Sequence, residues 1–147
     1  MTETYHNQEL IYEVKTTGFS YELLREEVIQ SLLGKDTDEI LYWTGKNLAR
    51  KYNLENFDSI ITFFQHSGFG KLAIIKDKKD HLDLKLTSPL IEQRFNDNRN
   101  ISYYLEAGFL AQSIELQKKC ITETTIDLNK REKSVRLTVK WDYKDVI

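Results

Sequence analysis

The feature that most constrains this chain is a change of hydrophobic period near residue 70. Before it, apolar residues recur every three or four positions; just after it come a short apolar run at 72–75 and the alternating Leu82, Leu84 and Leu86. Tyr21, Leu24, Val28 and Leu32 step along one helical face, with Glu22, Arg25, Glu26 and Gln30 between them. That spacing predicts an amphipathic helix whose apolar stripe faces a core. Gly34 ends it, as a left-handed residue after the last turn would. Asp36 with Glu39 reads as a capping pair for a second helix carrying Leu41, Gly45, Leu48 and Tyr52 on one stripe. A third helix runs from about Asn56 through Phe57, Ile60, Ile61 and Phe64 and stops at Gly68.

Beyond the switch, residues 72–75, a charged turn at 76–79 and the alternating Leu82, Leu84 and Leu86 predict a β-hairpin. His81, Asp83 and Lys85 then point to its wetter face. Residues 88–100 read as loop, with a short helical turn around Ile91–Phe95. A fourth helix, about Ser102 to Lys118, contains the run Ala107-Gly-Phe-Leu-Ala111, apolar nearly all round, which predicts a central position. Two strands follow, about Cys120 to Leu128 and then Val135, Leu137, Val139 and Trp141, joined by a polar turn at 129–132. The order predicts an α+β fold, helices packed on a four-stranded antiparallel sheet. One proline and six glycines leave no linker, so residues 18–147 read as one domain behind a polar arm, residues 1–17, that carries Leu10, Ile11 and Val14.

Composition limits what such a domain can do. A single cysteine, Cys120, rules out an internal disulfide and fits a reducing compartment. The N-terminus has neither the basic start nor the apolar core of a signal peptide, and no apolar run approaches the ~18 residues of a membrane span. A cytoplasmic location is expected. Residues 1–40 hold nine acidic side chains against three basic, and residues 118–147 eight basic against five acidic. That polarity suits a protein partner or self-association, while nucleic acid would call for a concentrated basic face.

No reaction centre can be assembled from the chemistry-bearing residues, so a non-enzymatic protein is expected. His6, His66 and His81 lack ligand spacing and read as solvated or capping residues. Cys120 has no nucleophile context and reads as a plain strand-start cysteine. Glu106 falls on one helical face with Ser102, Ser113 and Gln117, which predicts a solvated glutamate. Gly68-Phe-Gly70 lacks the lysine and following helix of a phosphate loop.

Four segments carry a resemblance. They are residues 42–52 (YWTGKNLARKY), 63–72 (FFQHSGFGKL), 105–111 (LEAGFLA) and the ending Leu137-Thr-Val-Lys-Trp-Asp142. Together they resemble the YslB-like family of small bacterial proteins and, more distantly, the vinyl-reductase-type ligand-binding domains and TRAPP vesicle-transport subunits. The resemblance implies a TRAPP-subunit-like fold, frequent dimers and, in several members, an apolar ligand site. Metal-binding members hold metal with a Cys, a Glu-x-x-Cys and a last Cys. Those positions fall here on Tyr103, Glu123 to Ile126, and Ser134, of which the glutamate alone is retained. Tyr, Ile and Ser offer zinc neither thiolate nor imidazole, so no metal is expected. The Tyr-x-Ser-x-Arg signature of the haem-based nitric-oxide sensors is missing as well, so no cofactor is expected.

The reading is therefore a binding or scaffold module acting through protein–protein contacts. The alternative is a sensor or carrier of a small apolar ligand held between helices and sheet. Gly45 and Gly108 lie on apolar stripes and are expected to let two helices approach closely. Phe109 and Leu110 flank one buried stripe, and Tyr42 and Trp43 another; these four are expected to form a homodimer contact.

Overall fold

The computed structural model describes residues 14–147. The expected arm thus lies, up to residue 13 and including His6, Leu10 and Ile11, outside the described residues. Helix α1 covers residues 18–33 in three pieces: α-helical Gly18–Glu22, a π-helical stretch Leu23–Val28, and α-helical Ile29–Leu33. Thr17 caps it, its hydroxyl accepting from Ser20 N at 3.1 Å. Gly34, at φ +58°, ends it.

Helix α2, Thr37–Tyr52, starts without the Asp36–Glu39 capping pair. A 3-10 turn at Gly34–Asp36 leaves Asp36 at φ −95°, ψ 9° rather than in the extended conformation a side-chain cap requires. The Thr37 hydroxyl instead donates to Gly34 O at 2.6 Å. Helix α3, Phe57–His66, is capped by Asn56, whose Oδ1 accepts from Ser59 N at 2.9 Å.

Strands β1, Lys71–Asp77, and β2, His81–Thr87, form the first hairpin. Where the sequence predicts loop, a full helix α4 forms over Pro89–Asn96, because Ser88 caps it and Pro89 sits where no N–H is needed. Helix α5, Tyr104–Lys118, leads into β3, Cys120–Asn129, and β4, Ser134–Val146.

The sheet is antiparallel throughout, in the order β1-β2-β4-β3. Leu82, Leu84 and Leu86 on β2 and Val135, Leu137, Val139 and Trp141 on β4 are buried beneath the helices. The opposite face carries cross-strand polar pairs such as Thr138 donating to Asp83 at 2.8 Å, so one face is dry and the other wet. β4 outlasts its predicted alternation, and Trp141 Nε1 donates to Lys79 O at 3.2 Å, tying it to the first hairpin's turn.

Helix α5 lies between α2 on one side and the sheet on the other. It is therefore buried without interruption from Glu106 to Ile114. The core around it is aromatic: Phe63 stacks on Phe109 at 4.5 Å between centroids, with Phe64 and Phe69 edge-on to the same ring. Among the described residues no helix is long and apolar enough to cross a membrane.

Candidate functional site

The unusual part of the molecule is α1, which presents to the protein the face the sequence assigns to solvent. Glu22 and Arg25, three residues apart, point inward and are buried. Leu24, Val28 and Leu32 point outward; Leu24 is 61% exposed and Leu32 78%. Phe19 and Leu23 join them, giving five large apolar side chains along one helix.

Four buried charges hold that orientation. Arg94 on α4 grips both carboxylate oxygens of Glu22, its Nε 2.9 Å from Oε2, and its Nη2 also bonds Oε1. Arg25 donates to Glu106 Oε1 at 2.5 Å and to Ser102 O at 3.0 Å. Two tyrosines complete the network: Arg25 donates to the Tyr21 hydroxyl at 3.1 Å and Arg94 to that of Tyr103 at 3.2 Å. Arg99 extends it to the surface, reaching Glu26 at 2.8 Å. Glu106 is only 1% exposed, so the solvated glutamate expected from its helical spacing is corrected. Its counter-ion comes from residue 25, and a paired carboxylate can remain inside.

The electrostatics suit a clamp better than a reaction centre. Burial pushes the Tyr21 and Tyr103 hydroxyls up, and the nearby guanidiniums only partly offset it. Burial also pushes the Glu22 carboxyl up, but the Arg94 hydrogen bonds and charge, with Arg99 and Arg25, outweigh it and hold the carboxyl below its usual range. A carboxyl held low in the folded state contributes stability that is full above its unfolded pKa and is lost as pH falls through the folded one. Urea midpoints should therefore drop as pH falls below the ordinary carboxylate value of 4.5. The Glu22→Gln chain, less stable at pH 7, should lose less over the same range. Parallel pH profiles for the two chains would contradict this assignment.

The predicted site residues divide sharply. Gly45 and Gly108 face each other where α2 crosses α5. A β-carbon on Gly45 would lie 2.7 Å from Phe109 N, and one on Gly108 would lie 2.8 Å from Tyr42 C. Phe109 and Leu110 are fully buried, since α5 has a partner on both sides; the dimer contact expected of them is corrected. Tyr42 is half-buried, its hydroxyl accepting from Thr124 N at 3.4 Å, whereas Trp43 is 65% exposed.

His81 pairs with Asp80 at 2.8 Å, and Cys120 is buried with its thiol on Lys118 O. Among the described residues no three of His, Cys, Asp and Glu converge on a metal site. Tyr103, where the resemblance would put one metal ligand, instead accepts from the Arg94 guanidinium at 3.2 Å. Sequence reasoning missed Glu22, Arg25 and Arg94. The one signal was a second helical stripe, Glu22, Arg25, Ile29 and Leu33, hidden beneath the apolar one.

Comparison with known proteins places the chain among relatives. It matches the family described as "Protein of unknown function (DUF2507)" over residues 18–140. It is 39% identical to the uncharacterized protein YslB of Bacillus subtilis, over 92% of this chain and 91% of that one. A vinyl-4-reductase family protein from Methanocaldococcus jannaschii shares the fold at a TM-score of 0.68 and 20% identity, over 95% of this chain and 91% of that one. The phenol-responsive sensory domain of the transcription activator PoxR, solved with phenol, aligns at a TM-score of 0.56 and 8% identity, over 87% and 76%. At such identities these two structures speak to the fold alone.

Proposed function

This chain belongs to the DUF2507 family, whose function is unknown, and on that premise we propose that it is a non-enzymatic binding module acting through protein–protein contacts, as a homodimer. The observation that carries this reading is the apolar face of α1, turned outward by buried ion pairs. An outward row of Phe19, Leu23, Leu24, Val28 and Leu32 would be a liability on a solitary monomer. Holding it there takes two buried ion pairs, each desolvated at some expense.

Twofold pairing would set the stripe against its own copy, so one sequence supplies both halves of the contact. Ten large side chains could form the centre of an interface of about 1,000 Å² or more, the size a stable contact needs. Among the described residues we find no acid, base and nucleophile meeting in a cleft, which supports binding over catalysis. A single cysteine, free and buried, fits the cytoplasm.

The rival reading, a carrier or sensor of a small apolar molecule, draws support from the likeness to a phenol-responsive domain. Against it, Phe63, Phe64, Phe69 and Phe109 fill the space between helices and sheet where such a ligand would sit. Light scattering across a hundredfold dilution tests the dimer. We expect twice 17.4 kDa at high concentration, reduced to a monomer by Leu24→Asp or Leu32→Asp with an unchanged circular dichroism spectrum. A constant 17.4 kDa for the unaltered chain would end the proposal.

A further inference from the structure

We propose that the second half of α1 has two registers, and that the π-helical stretch Leu23–Val28 holds the one that presents the whole apolar row. In an α-helix each residue advances about 100°, so a step of four overshoots a full turn by about 40°. Leu24, Val28 and Leu32 step by four, and on a regular helix the row would wind about 80° toward one flank. Instead all three face outward: Leu24 and Leu32 are 61% and 78% exposed, and Val28 is exposed as well. The reason is a wide turn between them, in which Ile29 N donates to Leu24 O, five residues back. In a wider turn a step of four falls short of a full circle, which cancels the drift. Rows stepping by four are also the ridges along which helices most often pack.

The inward side obeys the same geometry. Glu22 is held by Arg94, Glu26 by Arg99, and Gln30 Nε2 donates to Asn100 O at 3.5 Å. These three also step by four, and all meet the segment 94–100. One extra residue, taken up in the wide turn, keeps a polar row on the protein and an apolar row opposite it.

That residue has another place to go. Passed on to the Gly34 turn, it leaves α1 regular and turns residues 29–33 by about 100°. Ile29 and Leu33, half-buried here, then join Glu22 and Arg25 on the inward stripe, while Leu32 leaves the outer row and Gln30 leaves Asn100. The joint that absorbs the change suits it. Gly34 sits at φ +58°, nothing lies within 4 Å of where its β-carbon would be, and the 3-10 turn Gly34–Asp36 follows. Glu22 and Arg25 lie ahead of the turning half and keep Arg94 and Glu106 in both registers. The consequence rests on the self-association proposed above: a second copy meets the full row only in the wide-turn register, so pairing selects it, and a single chain exchanges between the two.

The exchange itself is read in single chains. Amide relaxation dispersion of the Leu24→Asp chain should show microsecond-to-millisecond exchange over residues 23–36, with Gly18–Glu22 and the sheet quiet. Deleting the exposed Glu27 removes the extra residue, so α1 becomes regular with both rows where they stand now. In that chain the exchange should vanish, the urea midpoint should hold or rise, and self-association should tighten severalfold. In a helix with no residue to spare, the same deletion would turn everything beyond it by about 100° and lower the midpoint. Absence of exchange in the Leu24→Asp chain, exchange that persists after the deletion, or a lowered midpoint would each overturn the proposal. Light scattering keeps the two readings apart: a full chain that stays monomeric at every concentration ends the pairing reading, while exchange and midpoint still decide the register.

Discussion

Replacing Glu106 by alanine should cost about 3–5 kcal/mol of stability, among the largest single effects available in this chain. The substitution leaves the Arg25 guanidinium buried with no counter-ion, and arginine cannot escape by releasing its proton. Arg25 would keep only its bonds to Ser102 O and the Tyr21 hydroxyl. Glu106→Gln should lose less, because its amide oxygen can still accept from Arg25 while the charge stays unbalanced. The pair Arg25→Met with Glu106→Leu should recover most of the loss, since removing both charges removes both desolvation penalties. Urea midpoints of the four chains measure this directly. A Glu106→Ala chain within about 1 kcal/mol of the unaltered protein would show that the pair is not a buried one. The proposed dimer gives a second readout: with α1 no longer clamped to α5, its outer stripe loses its fixed presentation, and any self-association seen by light scattering should weaken along with stability.

Gly108→Ala should destabilise the protein by about 1–3 kcal/mol, although alanine is the better helix former by roughly 1 kcal/mol. The sign of this result decides the question. On a helix with free space the substitution stabilises; here the added methyl meets backbone, 2.8 Å from Tyr42 C and nearer still to its oxygen. Backbone cannot rotate aside as a side chain can, so α2 and α5 would have to separate along their whole crossing. Gly45→Ala meets the same wall from the other side, at Leu105 O and Phe109 N. The two substitutions together should cost less than their sum, because one separation of the helices relieves both. Leucine at either position should prevent folding at room temperature. An unchanged or raised urea midpoint for Gly108→Ala would show that the helices are not held at contact distance.

The sequence by itself determined the architecture, because local periods carry it. Apolar residues every three or four positions up to Phe64, then the run at 72–75 and the alternating Leu82, Leu84 and Leu86, predict helices followed by a hairpin, and those elements form. The run Ala107 to Ala111 marked α5 as central, since a helix apolar all round has no face to spare for water. Gly45 and Gly108 were legible as small residues on apolar stripes. Where the sequence misled, two patterns competed on one element. Helix α1 carries an apolar stripe and, beside it, Glu22, Arg25, Ile29 and Leu33 at equally helical spacing. Burial of hydrocarbon argues for the first, and only tertiary structure chose the second. Arg94 lies 72 residues from Glu22 and Glu106 lies 81 from Arg25, so no local window contains either charge and its partner. Likewise, Phe109 and Leu110 lie about 100° apart around α5, and the sequence cannot say that both directions are covered, as their burial shows they are. Period is a property of neighbours along the chain, whereas the pairing of buried charges is a property of neighbours in space.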